Sequence, residues 1–251
     1  MPPCPLGSRR RPNADSGRWR QTAEAERKAL LAIYSRLYDA YGSQEWWPGD
    51  SPFEVIAGAI LTQSAAWANV EKALANLKAA NALFPEGIAA LPEAELAQLI
   101  RPSGYFNAKA RKLKALVHLL NERFAGDLDR MLATPVNELR PALLAAHGIG
   151  PETADSILLY AAAQPVFVID AYTRRTFLRL GLLPQADNYE GWQRLFMGAL
   201  PADATLFNEY HALIVRHGKD VCRKQPLCGG CALASICPVG TAVVGPNNVQ
   251  S

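Results

Sequence analysis

Apolar side chains recur at intervals of three and four residues along most of the chain, which is the spacing of one face of an α-helix. The first such face begins after Ala23 and comprises Leu30, Ile33, Tyr34, Leu37, Tyr38 and Tyr41. Proline and glycine separate the later segments, which are predicted at 53–61, 70–77, 92–100, 108–124, 136–146, 171–180, 191–200 and 205–219. The pattern therefore predicts an all-α fold, and no sequence repeat is apparent.

One stretch has the composition of a β-strand, PVFVI at 165–169. It is too short and too isolated to make a sheet. We therefore predict that it is an extended, buried connection into the helix that begins near Ala171.

The composition describes an ordinary globular protein. The chain has 251 residues, 49% of them hydrophobic, which suffices for one good core or two modest ones. It has no run of about 18 apolar residues and no apolar stretch behind its N-terminal arginines, so we expect neither a membrane span nor a secretory signal. We expect the protein to be cytoplasmic and associated with the nucleoid. A net charge of +3 permits a nucleic-acid partner without establishing one.

The two ends of the chain differ from the helical region. Residues 1–22 combine Pro, Gly, Ser and Arg with no hydrophobic period, which predicts a disordered basic arm that is either solvated or in contact with DNA. This arm carries Cys4, the one cysteine that is far from the others. Residues 241–251 are predicted to be a flexible tail.

A glycine-rich turn separates two predicted helices at HGIGPETADS, residues 147–156. Gly148 and Gly150 let the backbone turn, and Pro151 suits the first position of a helix. Such a hairpin exposes backbone N–H groups beside a helix N-terminus and suits a DNA phosphate. The alternative is an ordinary corner between two helices, in which the glycines serve packing alone.

Asp170 ends the apolar run and begins the next predicted helix, a position that favours an N-cap. A capping role and a chemical role are compatible. A carboxylate that is fixed at a helix start could also face a developing cation.

Four cysteines lie within sixteen residues, CRKQPLCGGCALASIC. Their spacing favours one metal centre over disulfides, with Cys222, Cys228, Cys231 and Cys237 as its ligands. Spacing alone leaves zinc open. A thioredoxin-type redox pair at CGGC is improbable, because no βαβ pattern surrounds it.

Taken together, GIGPETA, VIDAYTRR, ILTQSAAWANVEKA, GYFNAKARKL and the cysteine loop resemble the helix-hairpin-helix DNA glycosylases of the endonuclease III superfamily. The resemblance covers roughly residues 30–240. It implies a six-helix barrel-like domain at 44–164 that contains the hairpin, an iron–sulfur domain built from 23–43 and 165–240, and DNA across the cleft between them. It also implies a 4Fe-4S cluster rather than zinc on the four cysteines, although the first gap between them is one residue shorter than usual. Residues implied to bind a DNA phosphate are Gly148, Ile149, Gly150 and Thr153.

The resemblance assigns Asp170 as the catalytic carboxylate. Glu152 stands where the bifunctional members carry a lysine, whose amine forms a Schiff base with the sugar. Because a carboxylate cannot form that imine, we predict a monofunctional glycosylase. Glu152 itself is otherwise only a favourable acid in a first helical turn.

A second likeness concerns tryptophans, whose commoner fate is the core. SQEWWPGDSPF and ILTQSAAWANV are similar to segments of the endonuclease III-like 3-methyladenine glycosylases, and they imply a base pocket of Trp46, Trp47, Pro48 and Trp67. Gln63 resembles the residue that fills the gap left by a flipped base. We therefore expect an alkylated purine in double-stranded damaged DNA as substrate, and a monomeric protein. The alternatives are an oxidised-pyrimidine glycosylase with lyase activity, and a damaged-DNA-binding protein with little turnover.

The remaining candidates are weaker. Lys109, Arg111, Lys112 and Lys114 are predicted to form a solvated basic face or a phosphate track, and Arg223 and Lys224 could present charge to DNA. His211 is predicted to be a core or interdomain histidine. His147 flanks the hairpin, where it could touch a phosphate.

Overall fold

The computed structural model describes residues 22–47 and 49–244. Within these residues the regular secondary structure is entirely helical, which confirms the predicted fold class. The α-helices are α1 (Ala23–Tyr41), α2 (Pro52–Leu61), α3 (Trp67–Ala79), α4 (Pro85–Ala90), α5 (Glu93–Leu99), α6 (Phe106–Phe124), α7 (Leu128–Leu132), α8 (Val136–Ala145), α9 (Pro151–Ser156), α10 (Ala171–Leu180), α11 (Tyr189–Ala199), α12 (Ala204–Asp220) and α13 (Pro238–Val244). Short 3₁₀ turns lie at Arg101–Ser103 and Cys228–Gly230, and a π-helical turn follows α9 at Ile157–Ala161.

The predicted helices agree with the observed ones to within three residues at each end. Three short helices, α4, α7 and α13, were not predicted, because five to seven residues are too few to show a helical period. The arm at 1–22 lies outside the described residues except for Thr22, whose side chain caps α1.

Helix α13 extends to Val244, so the first residues of the predicted tail are helical. Pro238 supplies a favourable first helical residue, and the Thr241 N–H donates to the Cys237 carbonyl at 2.8 Å. A side chain at Gly240 would meet the Ala234 carbonyl oxygen at 2.7 Å, so this glycine lets α13 pack closely. Residues 245–251 lie outside the described part of the chain.

The buried apolar residues form two clusters. The first joins helices α2 to α9, with Ile56, Leu77 and Leu113 among its fully buried members. The second joins α1 to helices α10, α11 and α12, and Phe167 stacks on Phe196 at its centre with ring centroids 4.1 Å apart. The chain leads from the first cluster to the second through the segment that ends at Asp170, and the candidate site lies around this segment.

That segment includes the strand-like stretch at 165–169. It has no regular structure, and Val166, Phe167, Val168 and Ile169 are all buried. The prediction of a buried connection is confirmed, and it delivers Asp170 to the start of α10.

The basic run on α6 is only partly a solvated face, because Arg111 is exposed whereas Lys109 is buried. Lys109 is 1% exposed, and its ammonium donates to the carbonyls of Leu61 at 2.8 Å and Ser103 at 2.6 Å. Burial, and secondarily the charge of Lys112, lowers the pKa of Lys109 to about 8. Lys114 donates to the Ala89 carbonyl at 2.9 Å. These ammonium groups satisfy carbonyls where helices end, a role that sequence spacing does not reveal.

No helix in the described part of the chain combines the length and apolar character that a membrane span requires.

Candidate active site

The glycine hairpin joins α8 to α9, as predicted. Gly148 has φ +76°, a left-handed conformation that favours glycine. Gly150 is extended at φ −90° and ψ 176°, so its predicted turning role is wrong. A side chain at Gly150 would meet no atom within 4 Å. This glycine therefore leaves open space in front of the hairpin, and the N–H groups of Gly148 and Gly150 have no hydrogen-bond partner among the described residues.

A polar chain ties the hairpin to two other helices. Thr153 is buried, and its hydroxyl accepts a hydrogen bond from the Gln63 side-chain amide at 2.7 Å. The Lys112 ammonium donates to the side-chain oxygen of the same Gln63. The Lys112 stem lies across Gly148, where an added Cβ would come within 2.6 Å of it. Gln63, at the end of α2, is thus held against the hairpin.

A buried ion pair, which the sequence reading missed, fixes the two helices of the hairpin to each other. Asp155 on α9 is fully buried and accepts from Arg140 on α8, at 2.6 Å from Nε and 3.1 Å from Nη2. Gln193 on α11 donates to Asp155 at 2.8 Å and to the Phe167 carbonyl at 2.9 Å. The network therefore also binds the connection that leads to Asp170.

Asp170 caps α10, as predicted from its position. Its Oδ1 accepts from the Thr173 N–H at 2.7 Å, and its side chain is 12% exposed. The Ile169 N–H just before it donates to the Tyr189 hydroxyl at 3.4 Å. Hydrogen bonds therefore fix both the side chain of Asp170, through Thr173, and the backbone that precedes it, through Tyr189.

A group of aromatic rings lies around Trp47. Trp47 lies 5.2 Å from Trp46, 5.2 Å from Trp67 and 5.1 Å from Tyr160, measured between ring centroids. All four rings are partly buried. Trp47 packs on Gly58 of α2, where an added Cβ would lie 3.2 Å from its indole nitrogen. The structure brings the three predicted tryptophans together, whereas Pro48 lies outside the described residues.

Tyr160 and His211 link these rings to Asp170. The Tyr160 hydroxyl lies 2.5 Å from Nδ1 of His211, and Nε2 of His211 lies 3.7 Å from Oδ2 of Asp170. Sequence reasoning did not single out Tyr160, because it lies in an alanine-rich apolar stretch. The π-helical turn that carries it is a signal that only the structure gives, and such turns are frequent at functional sites.

Glu152 lies close enough to Asp170 for their charges to interact. Solvent reaches Glu152, yet the protein around it, followed by the negative charge of Asp170, raises the pKa of its carboxyl to about 7. The environment therefore makes Glu152 more than a favourable first-turn acid. Both its surroundings and the neighbouring carboxylate favour the protonated form of this carboxyl.

The four cysteines of the loop line one cavity, together with the side chains of Thr176, Arg179, Leu180 and His217. Arg179 donates to Sγ of Cys222 at 3.2 Å, and the Leu233 N–H donates to Sγ of Cys231 at 3.4 Å. Among the described residues, no three His, Cys, Asp or Glu side chains are arranged as a single metal ion would need. The thiols thus surround a shared space without meeting at one point.

Arginines from α10 shape this loop. Arg179 donates to the carbonyls of Arg223 at 2.6 Å and Lys224 at 2.9 Å. Arg175 donates to the carbonyls of Cys222 and Gly218, each at 2.8 Å. Because Asp170 caps α10, one helix connects the carboxylate to the cysteine loop. The side chains of Arg223, Lys224 and His147 are exposed.

The chain is helical, and a glycine hairpin joins two of its helices next to a site with acidic and aromatic side chains. These features are typical of helix-hairpin-helix proteins. The chain belongs to the HhH-GPD superfamily of base excision DNA repair proteins, whose family model matches residues 57–202. Within it, the protein is a DNA glycosylase of the endonuclease III family.

Two relatives illustrate the match. A protein of Methanocaldococcus jannaschii, provisionally named a DNA repair glycosylase, is 44% identical over 210 residues, which are 83% of this chain and 95% of the relative. Endonuclease III of Escherichia coli K12 is 28% identical over 188 residues, which are 74% of this chain and 83% of the relative. The expected family is confirmed.

Solved structures give the same result. The H. pylori 3-methyladenine DNA glycosylase bound to 1,N6-ethenoadenine has a TM-score of 0.63 at 28% identity, covering 79% of this chain and 98% of that one. A trapped endonuclease III–DNA covalent intermediate has a TM-score of 0.75 at 23% identity, covering 87% and 98%, which supports the fold alone.

Proposed function

We propose that the protein is a monofunctional glycosylase that flips an alkylated purine out of duplex DNA and hydrolyses its N-glycosidic bond with Asp170. The observation that carries this proposal is the juxtaposition of Asp170 with the Trp46, Trp47 and Trp67 rings through Tyr160 and His211. A base that is extracted from the helix needs flat apolar surfaces for stacking.

The rings favour a purine that is alkylated. Alkylation at a ring nitrogen gives the base a positive charge, and electron-rich indole faces attract cations. The likeness to the H. pylori 3-methyladenine glycosylase, at 28% identity, supports the same substrate class. Pro48 completes the proposed pocket by its place next to Trp47 in the sequence.

Asp170 acts on the sugar. Departure of the base leaves positive charge on the sugar, which a fixed carboxylate stabilises. Glu152, with a pKa of about 7, accepts a proton from the attacking water. Because neither group is an amine, no imine with the sugar forms, and the abasic strand is left intact.

The hairpin positions the duplex without reading its bases. The N–H groups of Gly148 and Gly150, which have no partner within the described part of the chain, and the open space at Gly150 suit a phosphate oxygen. Ile149 is buried beneath the hairpin, and Thr153, whose hydroxyl is engaged by Gln63, takes part through its backbone N–H. Gln63 then fills the space that the flipped base leaves, and a single copy of the protein binds DNA in a cleft between the two hydrophobic clusters.

Base release from defined duplexes tests the proposal. Duplexes that carry 3-methyladenine, 1,N6-ethenoadenine or an oxidised pyrimidine are incubated with excess protein, with and without borohydride. We expect release of an alkylated purine, an uncut abasic strand, and no trapped covalent complex. Efficient strand cleavage with trapping would overturn the monofunctional assignment. Tight binding to an abasic analogue with no release from any duplex would indicate a damage-binding protein instead.

Trp47→Ala should slow base release on the order of 10–100-fold, because it removes the central stacking surface. Binding to a duplex that contains an abasic analogue should change little, since no base is present to stack. Trp47→Phe, which keeps a ring, should retain more activity. Single-turnover rates and equilibrium binding measure the two effects. An equal loss of both, in a folded variant, would assign Trp47 to duplex binding or the core rather than the pocket.

Glu152→Gln should change the pH dependence of base release. With a cationic alkylpurine, whose departure needs no added proton, the wild-type rate should rise as Glu152 ionises through pH about 7. The glutamine variant should lose this rise and be slower at pH 8 by on the order of 100-fold. Single-turnover rates from pH 5.5 to 8.5 give the comparison. A variant that keeps the wild-type slope would show that another group takes the proton.

The cysteine loop fits a 4Fe-4S cluster. Its four thiols line a common cavity that is apolar apart from Thr176, Arg179 and His217, and N–H groups already point at two of the sulfurs. Bound through Cys222, Cys228, Cys231 and Cys237, the cluster would cross-link and order the loop.

Purified protein should therefore be brown, with the broad absorption band at about 400 nm that is typical of cubane clusters. Cys222→Ser should reduce the iron content and the absorption, whereas Cys4→Ser, the matched control, should leave both unchanged. Iron and sulfide analysis accompanies the spectra. A colourless protein with one equivalent of zinc would refute the cluster.

A further inference from the structure

His211 is a buried titratable group that faces the proposed catalytic carboxylate. It is 5% exposed, and its two ring nitrogens differ in their surroundings. Nδ1 lies 2.5 Å from the Tyr160 hydroxyl, whereas Nε2 has no hydrogen-bond partner among the described residues. The polar atom that Nε2 faces is Oδ2 of Asp170, at 3.7 Å. A buried nitrogen left without a bond is costly and requires an explanation.

Burial favours the neutral form of both members of the pair. Burial lowers the pKa of His211 below its usual value of 6.5, although the charge of Asp170 opposes this. Burial, and secondarily Asp170, raises the pKa of the Tyr160 hydroxyl well above 10.0. The neutral ring carries one proton, on either Nδ1 or Nε2.

The charge of Asp170 selects between the two tautomers. A proton on Nδ1 would turn the lone pair of Nε2 towards the carboxylate, which is repulsive. If the Tyr160 hydroxyl instead donates to Nδ1, the proton resides on Nε2 and points at Oδ2 of Asp170. The Tyr160 hydroxyl thus determines which end of the imidazole faces the site.

Asp170 then has an N–H directed at each of its oxygens. Oδ1 accepts from the Thr173 N–H of α10, and Oδ2 faces Nε2 of His211 on α12. The other titratable groups whose charges interact at this point are Glu152 on α9 and Tyr160 itself. Of these side chains, His211 alone has a nitrogen donor.

We propose that Tyr160 and His211 are a positioning pair that directs an N–H at Oδ2 of Asp170 and keeps this carboxylate aimed at the sugar. The inference rests on the proposed function, in which Asp170 acts on the sugar. The pair also joins the pocket to the carboxylate, because the Tyr160 ring lies 5.1 Å from Trp47, the proposed stacking surface.

Variants of the pair test the kinetic consequence. His211→Leu should slow single-turnover base release by on the order of 10–100-fold, the effect of one hydrogen bond to a charged group. His211→Gln, whose amide can donate to the carboxylate, should recover part of that loss. Tyr160→Phe should slow the same step, and the double variant Tyr160→Phe/His211→Leu should be no slower than His211→Leu alone, because the tyrosine acts through the histidine.

A matched control separates this effect from the loss of a buried bond. The Tyr41 hydroxyl also lies against a histidine, 2.8 Å from Nδ1 of His217, and among the described residues the Tyr41 ring contacts the His217 ring but none of the three tryptophans. Tyr41→Phe should leave the rate of base release unchanged. Binding of every variant to a duplex with an abasic analogue should stay within about twofold of the wild type, because the pair acts after the duplex is bound.

The tautomer gives a second readout that needs no activity. In protein labelled with ¹⁵N-histidine, the His211 signal, assigned by its loss in His211→Gln, should show a protonated Nε2 and an unprotonated Nδ1. The Nε2 proton should move downfield when the protein binds a duplex that contains a cationic pyrrolidine abasic nucleotide, which mimics the charged sugar. Tyr160→Phe should weaken the tautomer preference. This measurement stays informative if His211→Leu fails to fold.

The outcomes distinguish the two proposals. A proton on Nδ1, or additive effects of Tyr160→Phe and His211→Leu, would overturn the positioning pair while Asp170 keeps its role. If Asp170→Asn releases the base at the wild-type rate, the proposed function itself fails. If the histidine variants lose duplex binding as much as base release, the pair is structural only.

Discussion

Asp170→Asn should lower the single-turnover rate of base release by at least on the order of 100–1000-fold, with little change in duplex binding. The asparagine keeps the shape of the side chain and remains a good N-cap, so α10 should still begin in place. It lacks the negative charge that stabilises the sugar cation. The effect therefore separates the capping role of the residue from its proposed chemical role.

The chain offers a close control for this substitution. Asp203 caps α12 in the same way, accepting from the N–H groups of Thr205 at 2.8 Å and Leu206 at 3.2 Å. Asp203→Asn should leave base release and binding unchanged. Rates with excess protein and affinities for an abasic-analogue duplex are measured for both variants. Similar modest losses in the two would mean that Asp170 serves as a helix cap alone.

The residues of the site that the sequence identified are those whose role follows from local structure. Asp170 follows an apolar run and precedes a helix, and Gly148 lies in a turn, so each position constrains its residue type. Lys109 is a different case. It belongs to a basic run that predicted a solvated face, yet its side chain is buried. Charge along a helix does not reveal which carbonyls the folded chain brings above it.

The aromatic part of the site shows the same division. Three tryptophans were expected in a pocket because of a likeness to known segments, and the structure places their rings together. Tyr160 and His211 are 51 residues apart in the chain, and no local pattern relates them. Contacts of this kind depend on tertiary packing, as does the proton affinity of Glu152, which is set by surrounding protein and by Asp170. The predicted domain boundaries and the roles of the phosphate-binding residues remain predictions.

Arg140→Met should destabilise the protein by about 3–5 kcal/mol, because it leaves a buried carboxylate without its partner. Asp155 is fully buried and receives two hydrogen bonds from Arg140. After the substitution, the bond from Gln193 remains, but the negative charge is no longer compensated. Urea unfolding, monitored by circular dichroism, measures the loss. Arg140→Met/Asp155→Leu should recover a large part of it, since the double variant removes the charge as well.

An exposed ion pair supplies the comparison. Lys28 lies 3.5 Å from Glu24 on α1, with side chains 76% and 65% exposed, and Lys28→Met should cost at most about 0.5 kcal/mol. A loss this small in Arg140→Met would show that solvent reaches Asp155 and that the pair does not fix the hairpin. The expected larger loss has a functional consequence, because Asp155 joins α8, α9 and α11 at the point where the chain turns towards Asp170. Under conditions in which Arg140→Met remains folded, it should therefore bind duplex DNA more weakly and release the base more slowly, whereas Lys28→Met should do neither.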